Sequence, residues 1–184
     1  MAVRPIRIYG DPVLREKSRP VGEISSALRL LAGDLVDTMY DAEGVGLAAP
    51  QVGKPVRMYA VNLGAIGPEL FLDRRGPSLD EEPEHLVLVN PRVVKQEGAQ
   101  TGDEGCLSFP DLFDKVTRPE VVRVEATDLD GRPVEIEGSG LLARVLVHEY
   151  DHLEGVLFID HLSKLRQQFL RGKLRKLKES GQAV

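Results

Sequence analysis

A single cysteine, Cys106, in 184 residues leaves no partner for an intramolecular disulfide, so the chain must be held by burial and hydrogen bonding. No stretch approaches the ~18 uninterrupted apolar residues of a membrane-spanning helix, and no membrane partner is expected. The opening MAVRPIRIYGDPVLREKSRP has no apolar run behind its basic residues, so a cytoplasmic location is expected. Repeats of any period are absent, as is any linker that would divide the chain, which points to one domain over residues 1–184. The net charge of −5 argues against nucleic-acid binding over the whole surface, and no DNA partner is expected, although local basic patches stay open. What is there is a 42% hydrophobic share, enough for a substantial core.

Ile24, Leu28, Leu31, Leu35 and Met39 recur at helical spacing, with Ser25 or Ser26 as cap, and this helix ends before Gly44-Val45-Gly46. Residues 56–61 read as a short strand after the Gly53-Lys54-Pro55 turn. Residues 63–85 carry Gly64, Gly67, Pro68, Gly76, Pro77 and Pro83 with the acidic run Asp80-Glu81-Glu82, and read as a long exposed loop. Residues 86–90 and 93–96 look like strand pieces broken at Pro91. Val122, Val124 and Ala126 alternate with Arg123, Glu125 and Thr127, and the alternation resumes at Val134 and Ile136 after an Asp130-Gly131 turn. Ser139 is placed to cap a helix from 140 to about 153. A last helix from about 162 carries Leu162, Leu165, Phe169, Leu170, Leu174 and Leu177 at helical spacing. Between residues 161 and 184 seven lysines and arginines face one acid, Glu179, so this helix should dock an apolar stripe and show a basic face to solvent. Strands around one central helix, with flanking helices, make the expected class α+β.

The informative segment is His148-Glu149-Tyr150-Asp151-His152. Histidines at i and i+4 sit one turn apart on the same helix face, close enough to share a metal ion, and Leu141 and Val145 precede them on that face. A tetrahedral centre wants a third protein ligand. Cys106, in the glycine-flanked stretch from Gly102 to Ser108, leads, with Asp151 and Glu154 as alternatives; Asp151 suits better the role of orienting a ligating histidine. Glu149 occupies the position of the proton-transferring glutamate in H-E-x-x-H hydrolases. In Gly44-Val45-Gly46-Leu47-Ala48-Ala49-Pro50-Gln51 the two glycines permit close backbone approach, and Gln51 offers an amide donor for a developing oxyanion.

GVGLAAPQ, EGCLS and HEYDH, in this order, resemble the peptide deformylases, and the likeness runs from the segment beginning Tyr9-Gly10-Asp11-Pro12 to Leu157-Phe158-Ile159-Asp160. The resemblance implies antiparallel sheets around a central metal-binding helix, with an N-terminal and a C-terminal helix. It implies Cys106, His148 and His152 as ligands of one divalent ion, Fe²⁺ in the cell, with Zn²⁺, Ni²⁺ or Co²⁺ able to substitute. Glu149 would be the general acid/base, Gln51 and the Leu107 N–H the donors to the formyl oxygen, and Gly46 a main-chain contact for substrate. The implied reaction removes the N-formyl group from the initiator methionine of newly made polypeptides, releasing formate after attack by a metal-bound water. Because Leu141 and Val145 share the histidine face and Val45 lies in the glycine loop, these three are expected to line the methionine pocket. The basic C-terminal helix is expected to meet the ribosome. Two other readings are a zinc protease of the H-E-x-x-H type, for which His161 stands at the wrong spacing, and an inactive ribosome-associated binding protein. The chain departs from the family in its longer 63–85 segment and at Phe113, where some members have arginine.

Overall fold

The computed structural model describes residues 2–79 and 83–181. In chain order it contains helix α1 (Ser26–Asp41), strands β1 (Gly46–Ala48), β2 (Met58–Asn62), β3 (Phe71–Arg75), β4 (His85–Glu97), β5 (Gln100–Gly105), β6 (Phe113–Arg118), β7 (Val121–Thr127) and β8 (Pro133–Ser139), then α2 (Gly140–Leu153) and α3 (Lys164–Gly181). Six strands pair antiparallel in the order β1-β2-β4-β7-β8-β3, and β5 with β6 forms a separate hairpin. The α+β class expected from the sequence holds. No helix among the described residues is long and apolar enough to cross a membrane.

Period-two alternation places the sheet between two helices. Tyr59 and Val61 of β2 and Leu86 and Leu88 of β4 pack with Leu142, Val145 and Leu146 of α2. The intervening Met58, Ala60, Val87 and Val89 pack with Leu31, Leu35 and Met39 of α1. Helix α1 starts as its sequence predicts, with Ser25 Oγ accepting from the Leu28 N–H at 3.3 Å.

Four expectations need correction. The strand pieces around Pro91 are one strand, β4, because the register shifts between Val89 and Arg92 and Asn90 takes a φ of 51°, so the proline falls at an irregularity where no ladder hydrogen bond is lost. The 63–85 segment, read as an exposed loop, contains β3, which pairs with β8 as an edge strand, and it buries Ile66 and Leu79; the run Asp80-Glu81-Glu82 lies outside the described residues. Phe71-Leu72-Asp73-Arg74-Arg75 shows no clean alternation because an edge strand buries little of either face. The β5–β6 hairpin was not read as strand at all, since Gln100-Thr101-Gly102-Asp103-Glu104-Gly105 holds no apolar residue. On α3 the docked stripe is Leu170, Leu174 and Leu177, against a cluster containing Leu14, Phe109 and Phe158. Leu165 and Phe169 point to solvent, 64% and 74% exposed, because they lie about a third of a turn round the helix from that stripe. The basic face is also partly engaged: Arg166 Nε donates to Asp114 at 2.6 Å, and Lys173 Nζ to the Asp111 carbonyl.

Candidate metal centre

Helix α2 leaves β8 through Gly140, whose φ of 54° turns the chain back under the sheet. Its interior position carries the two histidines into the protein: His148 is 8% and His152 1% exposed, with ring centroids 5.0 Å apart. Cys106 follows the last residue of β5, and its Sγ stands 3.3 Å from His152 Nε2. One donor atom from each of Cys106, His148 and His152 lies within 4.8 Å of the others. Asp151 and Glu154, the other candidates for third ligand, are turned elsewhere. Asp151 meets Arg118 and His161, and Glu154 meets Lys17 and Arg57. His161, held by Asp151 and Arg118, is not part of the cluster either.

The carboxylate that orients a histidine is Glu104, not the Asp151 expected from the sequence. Glu104 Oε1 lies 2.7 Å from His148 Nδ1, which leaves His148 Nε2 for the cluster. The same carboxylate accepts from Arg118 at 2.6 and 3.0 Å and from Arg144 at 2.8 Å, and Arg118 reaches on to Asp151 at 2.6 Å. Burial opposes ionisation of Glu104, but its hydrogen bonds to His148 and Arg118 win and hold its carboxyl below the usual range. His148 is desolvated too, yet bonding to Cys106 and Glu104 pushes its pKa well above the ordinary histidine value. His152 has no such carboxylate, its Nδ1 is buried without a partner, and desolvation pushes its pKa well down. The signal for Glu104 was available in EGCLS, two residues before the cysteine; its partner in space depended on how β5 is placed over α2.

Glu149 is 4% exposed, and desolvation raises its carboxyl pKa to about 7. Its Oε2 has no hydrogen-bond partner among the described residues. Gln51 Oε1 accepts from the Ala48 N–H at 2.9 Å, which turns Nε2 toward Cys106 Sγ (3.5 Å) and Ser108 Oγ (3.2 Å). The Leu107 N–H meets no acceptor among the described residues. A cavity of about 540 Å³ is lined by Cys106, His148, Glu149, Gln51, Leu107 and Gly46 together with Val45, Leu141 and Val145. Nine of the ten residues singled out from the sequence therefore line this cavity, and the tenth, His152, joins Cys106 and His148 in the metal cluster. Leu141, 41% exposed, and Val145, buried, bring the histidine face of α2 onto this cavity.

Two imidazoles and one thiol with an unpartnered carboxylate beside them form a donor set suited to a borderline divalent ion with one position left open. The fit is good on two counts: the donor atoms are within reach of one centre, and His148 is pinned through its far nitrogen.

Comparison with known proteins agrees with this geometry. A family model described as polypeptide deformylase matches residues 3–168. The chain is 45% identical over 181 residues to a peptide deformylase of Alkalilimnicola ehrlichii, covering 98% of this chain and 94% of that one. It is 45% identical over 178 residues to a peptide deformylase of Brucella suis, covering 96% and 94%. The crystal structure of a peptide deformylase from Legionella pneumophila superposes with a TM-score of 0.80 at 42% identity, covering 97% of this chain and 96% of that one.

Proposed function

The chain belongs to the polypeptide deformylase family, and from that premise we propose that it hydrolyses the N-formyl group from the initiator methionine of newly made polypeptides, releasing formate. The observation that carries the reading is the buried Glu149 carboxyl, its Oε2 unpartnered, beside the Cys106, His148 and His152 cluster. Those three side chains would hold one divalent ion, which when bound supplies the Lewis acidity that polarises the formyl carbonyl and acidifies the attacking water.

Glu149 takes the proton from the attacking water and passes it to the departing amide nitrogen; a carboxyl pKa of about 7 serves both transfers near neutral pH. Gln51 Nε2 and the Leu107 N–H donate to the formyl oxygen as charge gathers on it, Gln51 being held for this by the Ala48 N–H. Strand β1 is at the sheet edge, so the Gly46 main chain is free to pair with the substrate backbone. Val145, buried, forms the floor of the methionine pocket, and Val45 and Leu141, half open to solvent, its walls.

Residues 1–184 act on this reading as one catalytic domain in the cytoplasm, where the substrate is made. Fe²⁺ is the native ion, which a thiolate and two imidazoles accept along with Zn²⁺, Ni²⁺ and Co²⁺; the iron form should lose activity in air faster than the nickel form. The exposed Arg171, Arg175, Lys176 and Lys178 of α3 rest on ribosomal phosphates, and reversing their charge abolishes salt-sensitive co-sedimentation with ribosomes. The test of the central reading is formate release from a formyl-Met peptide by wild type and Glu149→Ala. The variant should keep its metal and lose roughly two to four orders of magnitude in maximal rate. A variant at near wild-type rate would refute the role given to Glu149, and a metal-loaded wild type that releases no formate would refute the function.

A further inference from the structure

His161 is outside the metal cluster, yet an unbroken run of hydrogen bonds leads from it to one of the three clustered side chains. Its Nε2 lies 2.7 Å from Asp151 Oδ2, and the same oxygen accepts from Arg118 Nη1 at 2.6 Å. The other edge of that guanidinium, Nε and Nη2, donates to the two oxygens of Glu104 at 3.0 and 2.6 Å. Glu104 Oε1 also accepts from His148 Nδ1 at 2.7 Å. Asp151, Arg118 and Glu104 thus stand in series between His161 and His148.

A carboxylate beside a guanidinium can only accept, so the hydrogen of the 2.7 Å contact is on His161 Nε2. The 3.0 Å approach of Arg118 Nη1 to that nitrogen is then two donors sharing one acceptor. Arg118 and Glu104 are buried and Asp151 nearly so, whereas a third of the His161 side chain reaches water, which makes the imidazole the outer cover of the series. The turn that carries it is fixed by other contacts. Phe158 and Ile159 are buried in the cluster on which α3 docks, and the Asp160 carboxylate accepts from the Leu157 N–H at 2.8 Å and from Arg15 at 3.0 Å. The imidazole therefore meets Asp151 at little extra cost in chain entropy.

Without that cover the Asp151 carboxylate is free to turn toward water, and Arg118 loses the partner on its far edge. We propose that His161 is a positioning residue for the metal centre: by donating to Asp151 it keeps that carboxylate on Arg118, the guanidinium on Glu104, and Glu104 on His148. Removing a direct partner of a metal ligand typically costs roughly 10–100-fold in metal affinity. His161 acts further out, and Arg144 also holds Glu104, at 2.8 Å, so its share should be smaller, about three- to tenfold. The inference rests on the reading of Cys106, His148 and His152 as ligands given above.

The test is the rate at which the Zn²⁺-loaded full chain gives up its ion to excess EDTA at neutral pH. His161→Phe, which fills much of the same space without a donor, should release Zn²⁺ about three- to tenfold faster than wild type. His161→Gln, which restores an N–H donor at the same distance along the side chain, should return the rate to within about twofold of wild type. Asp151→Ala should itself release faster, and adding His161→Phe to it should change the rate no further, because the imidazole acts through that carboxylate. Equal release from wild type and His161→Phe would overturn the inference while leaving the metal site standing. So would a His161→Gln variant as fast as His161→Phe, or a full second acceleration in the double variant, since either places the effect in packing of the turn. A wild type that takes up no Zn²⁺ would remove the metal reading and the inference with it.

Discussion

Gly46 of β1 and Glu149 of α2 are packed so closely that a Cβ on the glycine would stand 2.6 Å from Glu149 Oε1 and 2.9 Å from its Cγ and Cδ. The bare backbone of the edge strand is one wall of the space that holds this carboxyl, and the walls are what strip it of water and raise its pKa.

Gly46→Ala should therefore push the carboxyl out of place without touching the metal cluster. The expected result is a fall in kcat on the order of a hundredfold with metal content unchanged, since a misplacement of about 1 Å at a reacting group has that effect. Elemental analysis beside steady-state kinetics checks it; wild-type turnover would mean that the strand gives way instead.

Cys106→Ser should lose metal as well as activity, because a serine hydroxyl is a far poorer ligand than a thiolate at neutral pH. Dialysis followed by metal analysis measures this directly, and full occupancy in the variant would remove Cys106 from the ligand set.

Glu104 joins His148 to two arginines that are themselves 3% and 7% exposed, Arg118 and Arg144. Glu104→Ala leaves those cations buried with fewer partners, so chemical denaturation should show a loss of about 3 kcal/mol or more. Glu104→Gln, which keeps the shape and loses the charge, should fall between the two proteins. Equal stability of all three would show that the arginines find water.

The carboxyl of Asp34 on α1 is held below its ordinary value of 3.8 by the Ala2 N–H at 2.8 Å and by Arg4. A carboxyl depressed in the folded state stabilises above the unfolded pKa, and that contribution drains away as the pH drops from near 3.8 through the folded value. Wild type should accordingly exceed Asp34→Asn in thermal stability at pH 7, with the gap closing below pH 3.8. A gap that is constant with pH would assign the effect to hydrogen bonding alone.

The elements readable in advance were those whose signal is local. Leu28, Leu31, Leu35 and Met39 repeat with the turn of a helix, and Val122, Val124, Val134 and Ile136 with the pleat of a strand, so α1, α2, β7 and β8 follow from spacing. The same holds for the pairing of His148 with His152, because four residues along a helix is one turn whatever surrounds it. The motif order around Gln51, Cys106 and Glu149 added the family and, with it, the residues to look for.

What only the tertiary structure decided involves residues distant in sequence. His148 is oriented by Glu104, 44 residues away, and not by Asp151 three residues on, because the β5–β6 hairpin lies over α2 while Arg118 draws Asp151 aside. Strand β3 exists because β8 offers it an edge, and no pattern in its own five residues announces it. Leu165 and Phe169 read as core from their spacing and are exposed, since spacing defines a face but not which face meets the domain. Local periodicity records how a chain turns and rises; which surfaces then meet depends on register, crossings and competing partners that no single stretch of sequence contains.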